Sequence, residues 1–169
     1  MNDTIVLVKH VTTTLKLKFQ DLNGVKAAMF AETVDASTEL ANELLRVPVA
    51  ERKKLTTATV VTPLKSALSN QVIRILKGKA GRRVKQFKVF WPEVNNQNWK
   101  LHKVGDTYSV SFPTIQGDKR VPLAVHDAHF AQQLDRVLSG DGCERGTLKL
   151  MELRNSWYAV LSITWDVPS

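Results

Sequence analysis

The chain has 169 residues and a formal net charge of +8, and 43% of its residues are hydrophobic and 24% charged. This length and composition are typical of a globular domain and exclude wholesale disorder, and the apolar runs are too short for a transmembrane helix or a signal peptide. The single cysteine, Cys143, excludes an intramolecular disulfide and fits a reducing compartment, so we expect a soluble cytoplasmic protein with no membrane partner.

The N-terminal part of the chain predicts strands followed by one long helix. Thr4–Val8 is β-branched and apolar, and Thr13–Phe19 alternates between apolar and polar residues, as a half-buried strand requires. From Val25–Val47 apolar residues recur at steps of three and four, which predicts a helix that Pro48 closes. Glu32 interrupts the apolar stripe, so two shorter helices remain an alternative.

The positive charge of the chain is confined to one basic window, Arg52–Lys88. This window contains 11 lysine and arginine residues and no acidic residue, whereas residues 1–51 contain 5 basic and 7 acidic residues, and residues 89–169 contain 8 and 9. Solvated helices usually mix the two signs, because opposite charges at i,i+4 support one another. A solvated face remains an alternative, but a segment of one sign favours a phosphate backbone as its partner.

A second helix is predicted inside the basic window. Thr62 is suited to be its N-cap and Pro63 its first residue, and Gly78 after Lys77 is a stop signal. Its apolar stripe is predicted to be buried and contains Leu64, Leu68, Val72 and Ile75.

The opposite face of this helix is predicted to be exposed, since Asn70, Arg74 and Lys77 fall together on it. The following segment, Gly78–Arg83, is rich in glycine and cations and predicts a flexible basic loop that can follow a phosphate backbone. The window therefore predicts a basic helix and a basic loop that bind nucleic acid.

From Gln86 onward the period of the apolar residues returns to two, which predicts strands separated by turns. A short helix over about Asp127–Leu138 interrupts the strands, and a tight turn at Arg154–Ser156 joins the last two. The predicted strands are Gln86–Trp91, Asn98–Val104, Thr107–Phe112, Arg120–Val125, Thr147–Leu153 and Trp157–Trp165.

These elements predict an α+β fold, a small antiparallel β-barrel with an inserted helical lobe. Residues 1–20 would form the first strands of the barrel, residues 21–85 the lobe and residues 86–169 the rest of the barrel.

The aromatic residues have two interpretations. Phe90, Trp91 and Tyr158 are candidates for stacking on bases, since a cation lies close to the first two and the alternation of the last strand puts Tyr158 opposite Trp157 and Trp165. Core packing is the commoner role of such side chains in a small barrel.

No catalytic or metal-binding pattern stands out. His126 and His129 lack the cysteine pair of a zinc site, and Cys143 has no evident catalytic partners. The acidic residues are scattered singly, whereas a two-metal nuclease needs converging carboxylates, and there is no glycine motif for phosphate. We therefore expect no metal, no cofactor, no small-molecule substrate and no catalysis by this chain alone.

Several short motifs occur in a characteristic order and spacing. They are Thr14–Leu17, Asn42, Leu68–Ile73, Lys119–Leu123, Gly146–Leu150 and Ser156–Val160. With the strand, basic helical excursion and closing hairpin around them, they resemble the N-terminal half of the TnpB-type proteins, transposon-associated RNA-guided nucleases related to the single-effector type V CRISPR nucleases.

The resemblance implies that the barrel is a wedge (WED) domain and the insert a recognition (REC) lobe, which together bind the guide RNA scaffold and read a short motif in target duplex DNA. The residues placed at that DNA motif are Lys65, Ser69, Asn70 and Gln71, whose side chains suit base edges. The residues expected to contact nucleic-acid backbone are Arg52, Lys53, Lys54, Arg74, Lys77, Lys79, Arg82, Arg83, Lys85 and Lys88.

In the family, a RuvC nuclease domain begins just after the last barrel strand, where this sequence ends at Ser169. We therefore expect the RuvC carboxylates and zinc-binding cysteines to be absent, and Asp166 not to be a catalytic acid. The function expected is a nucleic-acid-binding module in a bacterial or phage-encoded, nucleoid-associated ribonucleoprotein. Two alternatives stay open: half of a split nuclease completed by a RuvC-containing partner chain, and a basic domain that binds an acidic protein.

Overall fold

The computed structural model describes residues 7–168, so most of the strand predicted over Thr4–Val8 lies outside the described residues. The strands are β1 (Val8–Lys18), β2 (Glu93–Val94), β3 (Lys100–Val104), β4 (Thr107–Thr114), β5 (Gly117–Pro122), β6 (Cys143–Leu153) and β7 (Ser156–Pro168). The helices are α1 (Gly24–Leu45), α2 (Val49–Arg52), α3 (Ser66–Lys77), α4 (Lys79–Arg83) and α5 (Ala128–Ser139). The fold is α+β, as predicted, and none of these helices is long and apolar enough to cross a membrane.

The larger sheet is antiparallel and has the strand order β1-β7-β6-β2. β1 pairs with β7 along its whole length, and its leucines are buried while its lysines are exposed, so the predicted alternation is confirmed. Between β6 and β7, Arg154 and Asn155 both have positive φ, which is the backbone conformation of a two-residue type I′ hairpin turn. The predicted turn is therefore confirmed.

The prediction of a closed barrel is wrong. The smaller sheet is a separate antiparallel sheet of order β3-β4-β5. Within residues 7–168, strand-type pairing between the two sheets is limited to one isolated bridge, between Phe19 and Leu123. At its other edge the larger sheet ends in β2, which has only two residues and cannot extend the pairing to the smaller sheet.

The strand predicted over Gln86–Trp91 is absent, which is one reason why the two sheets do not close into a barrel. The carboxamide of Asn42, on α1, accepts from the N–H of Phe87 at 2.8 Å and donates to the carbonyl of Phe87 at 3.0 Å. The hydroxyl of Thr38, one turn earlier on α1, accepts from the N–H of Phe90 at 2.9 Å. A strand would need these backbone groups for a neighbouring strand, so binding them to helix side chains keeps the segment irregular.

The long helix α1 is continuous, so the alternative of two shorter helices is wrong. Asn23 is its N-cap and accepts from the N–H of Lys26 at 2.9 Å. Glu32 is exposed and does not interrupt the buried face. Thr33 and Ser37 are buried on that face, and each hydroxyl donates to the carbonyl four residues earlier at 2.8 Å, which satisfies it inside the core.

The helical insert and the sheets share one core. Phe30 of α1 is fully buried, and its ring centroid lies 5.1 Å from that of Phe19, 5.7 Å from Phe112 and 5.6 Å from Trp157. These rings come from α1, from both sheets and from the bridge between the sheets. Aromatic packing of this kind stabilises beyond the area that it buries. The insert is thus held against the sheets by apolar contact.

Candidate nucleic-acid interface

The exposed face of α3 carries a row of polar and basic side chains. Asn70, Arg74 and Lys77 are all exposed, as their spacing predicted, and Lys65 is exposed at the start of the row. Within residues 7–168 none of these four side chains has a protein hydrogen-bond or ion-pair partner. The buried face of α3 contains Leu68 and Val72, as predicted, so packing fixes which side of the helix faces solvent.

The start of α3 lies three residues later than predicted. Its first residue is Ser66, and Lys65 is its N-cap. The hydroxyl of Thr62 accepts from the N–H of Leu64 at 3.3 Å, and this local turn leaves Pro63 outside the helix. The predicted end at Lys77, followed by Gly78, is confirmed.

The segment predicted as a flexible loop is the short helix α4, packed against the end of α3. A Cβ on Gly81 would lie 2.4 Å from the carbonyl oxygen of Leu76 and 2.8 Å from its Cα, so only glycine permits this approach. Lys79, Arg82 and Arg83 of α4 are exposed. A packed helix holds its cations near fixed positions, whereas a flexible loop would lose conformational entropy on binding.

Arg52 was predicted to contact a nucleic-acid backbone, and the structure contradicts this, because the residue is only 5% exposed. Its guanidinium donates to the carbonyls of Gly81 at 2.8 Å, Val47 at 2.9 Å and Leu45 at 3.1 Å, and to that of Leu76 at 3.5 Å. Leu45 ends α1 and Leu76 lies in the last turn of α3, where helix dipoles place partial negative charge. Carbonyls at helix ends, in place of a carboxylate, thus compensate the buried charge.

The residues predicted to read a DNA motif are divided between surface and core. Ser69 is 2% exposed, and its hydroxyl donates to the carbonyl of Ser66 at 3.4 Å, so its predicted role is wrong. The cause is its helical position beside the apolar stripe of α3. Gln71 is half-buried, and Lys65 and Asn70 are exposed.

The predicted stacking residues are also divided. Phe90 is buried, with its ring centroid 5.2 Å from that of Phe87, so it belongs to the packed interior and cannot stack on a base. Trp91 is half-buried. Tyr158 is half-buried on the face of β7 opposite its buried residues, as predicted, and the ammonium of Lys16 lies 5.3 Å from its ring centroid.

Nine cations of the basic window remain exposed and have no carboxylate partner within residues 7–168. Lys54, by contrast, forms an ion pair with Glu51 at 3.6 Å. The nine are Lys53, Lys65, Arg74, Lys77, Lys79, Arg82, Arg83, Lys85 and Lys88. We call these nine side chains together the basic surface.

The acidic residues of the first half form an exposed row on α1. Four of them recur at steps of three and four along α1 and are exposed. They are Glu32, Asp35, Glu39 and Glu43. In the described part of the chain no ion pair joins this acidic row to the basic surface, although α1 and α3 pack against each other. Glu39 and Glu43 nevertheless line one pocket with residues 61–63, so the acidic row lies beside part of the basic window without forming ion pairs with it.

Two residues that hold the basic surface in place were not assigned that role from the sequence. Gly81 lies within a helix, where glycine is disfavoured, and this was an available signal for a close backbone approach. Asn42 fixes the segment that carries Lys85 and Lys88, by its two hydrogen bonds to Phe87. No local pattern relates Asn42 to a residue 45 positions later in the chain.

The remaining chemical signals are dispersed. No group of three or more histidine, cysteine, aspartate or glutamate residues that could hold a metal ion occurs among residues 7–168. His126 and His129 are exposed at the start of α5, where the Asp127 carboxylate accepts from the His129 N–H at 2.7 Å as an N-cap. Burial raises the pKa of the Cys143 thiol, which disfavours the reactive thiolate.

Comparison with known proteins does not assign the chain to a family. No protein-family model matches it, and no curated protein is detectably similar to it. The resemblance to the TnpB-type proteins therefore stays a prediction from short motifs.

Proposed function

We propose that the chain is a nucleic-acid-binding module that uses the basic surface of α3, α4 and the segment up to Lys88. The observation that carries this proposal is the set of nine exposed cations that have no carboxylate partner within residues 7–168. A polyanion supplies the opposite charge that these cations lack within the chain, and its condensed counterions are released on binding. Affinity would thus come mainly from positioning and charge.

Helix stabilisation accounts for only part of this charge. Arg74 and Lys77 lie in the last turn of α3, where cations interact favourably with the helix dipole. Lys85 and Lys88 lie in no helix, so they cannot serve that purpose. Exposed cations that the helix dipole does not explain fit a partner that is itself an extended row of negative charges.

At the finer level we propose that the nucleic acids are a guide RNA and a target duplex DNA, as in the TnpB-type proteins, with the sheets as a wedge domain and the helices as a recognition lobe. Support comes from Asn70, whose free carboxamide lies between Lys65 and Arg74 on the exposed row of α3. A carboxamide can pair with the edge of adenine, while the cations on either side would contact phosphates. Gln71 beside it is a second candidate, and cutting would need a RuvC-containing partner chain.

The experiment is a salt titration of binding to single-stranded RNA, single-stranded DNA and duplex DNA, followed by fluorescence anisotropy. If about six cations meet phosphates, log Kobs should fall against log salt with a slope near −4 for single strands and −5 for duplex. A slope of magnitude below about 1 would contradict the proposal. If nuclease treatment leaves the partner of the purified protein bound, an acidic protein is favoured instead.

A matched pair of variants tests the location of the binding surface. The first replaces Arg74, Lys77, Arg82 and Arg83 with glutamine, and it should abolish binding while leaving the fold intact. The second makes the same change of net charge at exposed lysines outside the window, which are Lys9, Lys18, Lys100 and Lys119. If both variants lose affinity equally, net charge and not the basic surface governs binding.

A further inference from the structure

A groove of about 290 Å³ lies between α2 and the corner where α3 meets α4. Three exposed cations line it, and each belongs to or directly follows a different helix: Lys53 after α2, Lys77 at the end of α3 and Arg82 in α4. The half-exposed Val49 and the buried Leu76 and Arg52 also line the groove. The groove thus combines three exposed positive side chains with apolar lining residues and one buried guanidinium.

The walls of this groove are fixed by the buried guanidinium of Arg52. Its hydrogen bond to the Gly81 carbonyl holds α4, the one to Leu76 reaches α3, and those to Leu45 and Val47 hold the end of α1 from which α2 follows. Gly81 allows the contact of α4 with α3, because any larger residue would meet the backbone of α3. The groove is therefore a built feature of the fold and does not depend on the positions of long side chains alone.

We propose that this groove is a subsite for a single phosphoryl group, bound by Lys53, Lys77 and Arg82. The proposal rests on the proposed function and deepens it, because it gives the nucleic acid one fixed point of attachment on the basic surface. None of the three side chains has an ion-pair partner within residues 7–168. The acid nearest in sequence, Glu51, pairs with Lys54.

The chemistry of the groove favours phosphate over other anions. A phosphodiester has the same single charge over two oxygens as a carboxylate, whereas a phosphomonoester has three accepting oxygens and a charge of about −1.5 to −2, so three cations match the monoester best. An arginine can bind two of these oxygens at once and a lysine acts as a point charge. The buried charge of Arg52, which also lines the groove, adds to the attraction, because the dielectric around a buried group is lower than that of water.

Two sources of the phosphoryl group share this chemistry, an internal phosphodiester and a terminal monoester. Oligonucleotides of one sequence with a 5′-phosphate and with a 5′-hydroxyl distinguish them. Equal affinities support binding of an internal phosphodiester, and tighter binding of the 5′-phosphorylated strand supports recognition of a terminus.

The decisive comparison is between single glutamine variants inside and outside the groove. Lys53→Gln, Lys77→Gln and Arg82→Gln should each weaken oligonucleotide binding by about tenfold, because each removes a charge-assisted contact at one site. Lys65→Gln and Lys88→Gln, which change exposed cations outside the groove, should cost about twofold, as one contact among many. Unchanged urea unfolding would show that all five variants fold.

Inorganic phosphate gives a readout that does not depend on nucleic acid. At constant ionic strength it should shift the backbone amide resonances of residues 76–83 saturably in wild type but not in Lys77→Gln. If the groove variants lose no more affinity than the controls and phosphate shifts no amide there, the subsite does not exist, while the salt slope of wild type still tests the proposed function separately.

Discussion

The Arg52→Met variant should be destabilised by about 3–4 kcal/mol in its free energy of unfolding. Each hydrogen bond from a charged donor contributes about 1.5–3 kcal/mol. The guanidinium makes three such bonds of 2.8–3.1 Å and a fourth at 3.5 Å. The sum is an upper bound, since water can reach some of the freed carbonyls and methionine keeps the apolar contacts of the side-chain stem. Against a total stability of about 5–15 kcal/mol this loss is large.

Urea unfolding followed by tryptophan fluorescence measures this loss. Trp99, Trp157 and Trp165 are buried, so their emission should change on unfolding. With an m value of about 2 kcal/mol/M the midpoint should fall by roughly 1.5–2 M. Lys53→Met is the matched control, because it removes an exposed cation at the next position and should change stability by less than about 0.5 kcal/mol.

The dependence of this stability loss on salt concentration distinguishes hydrogen bonds to carbonyls from an ion pair as its cause. The acceptors of Arg52 are uncharged carbonyls inside the protein, so the difference between wild type and Arg52→Met should be nearly the same at low and at high salt. A loss of less than about 1 kcal/mol would refute the reasoning, since a buried, multiply bonded guanidinium cannot be removed at so small a cost. Normal stability with weakened nucleic-acid binding would restore Arg52 as a contact residue.

Three further predictions concern packing, the irregular segment and pH. Gly81→Ala should cost about 2–3 kcal/mol or more by thermal unfolding because its Cβ overlaps the backbone of α3, whereas Gly24→Ala, with nothing within 4 Å, should be neutral or slightly stabilising. Asn42→Ala should cost about 2 kcal/mol in urea and increase amide hydrogen exchange around residue 87, since two part-buried backbone bonds are lost; unchanged exchange would contradict this. The hydrogen bond from Tyr108 lowers the pKa of Asp135 most, followed by that from Lys103, so Tyr108→Phe should raise that pKa in a carboxyl NMR titration. A carboxyl whose pKa is lowered by folding stabilises the protein at pH values above its unfolded pKa, and this stabilisation is lost as the pH falls through its folded pKa. The contribution of Asp135 to the difference in stability between wild type and Tyr108→Phe should therefore be constant above about pH 5 and shrink below about pH 4.

Sequence patterns correctly predicted the elements whose structure depends on a few adjacent residues. The alternation of β1 predicts its buried face because a strand exposes successive side chains to opposite sides. The hairpin turn at Arg154 and Asn155 and the stop at Gly78 are properties of a few adjacent residues. The row of Asn70, Arg74 and Lys77 follows from helical spacing alone.

Residues that act across long separations could not be predicted in this way. The strand expected over Gln86–Trp91 has a suitable pattern, but Asn42 and Thr38 bind its backbone from a helix about 45–52 residues away in sequence. Ser69 belongs to the same helix as Asn70, yet its position beside the apolar stripe buries it. A sequence pattern predicts the secondary structure that a segment prefers. It does not predict which distant side chains will form hydrogen bonds with the backbone of that segment.

The sequence by itself determined that the positive charge lies in one segment without acidic residues, because charge is a property of composition and needs no fold. Only the tertiary structure decided what each cation does. Arg52 is buried because carbonyls at the ends of α1 and α3 and within α4 accept hydrogen bonds from its guanidinium, and Gly81 lets α4 come close enough. Lys53, its neighbour, is left on the surface with the other cations. One buried arginine and one glycine thus hold α3 and α4 beside the end of α1, so that Lys53, Lys77 and Arg82 line one groove.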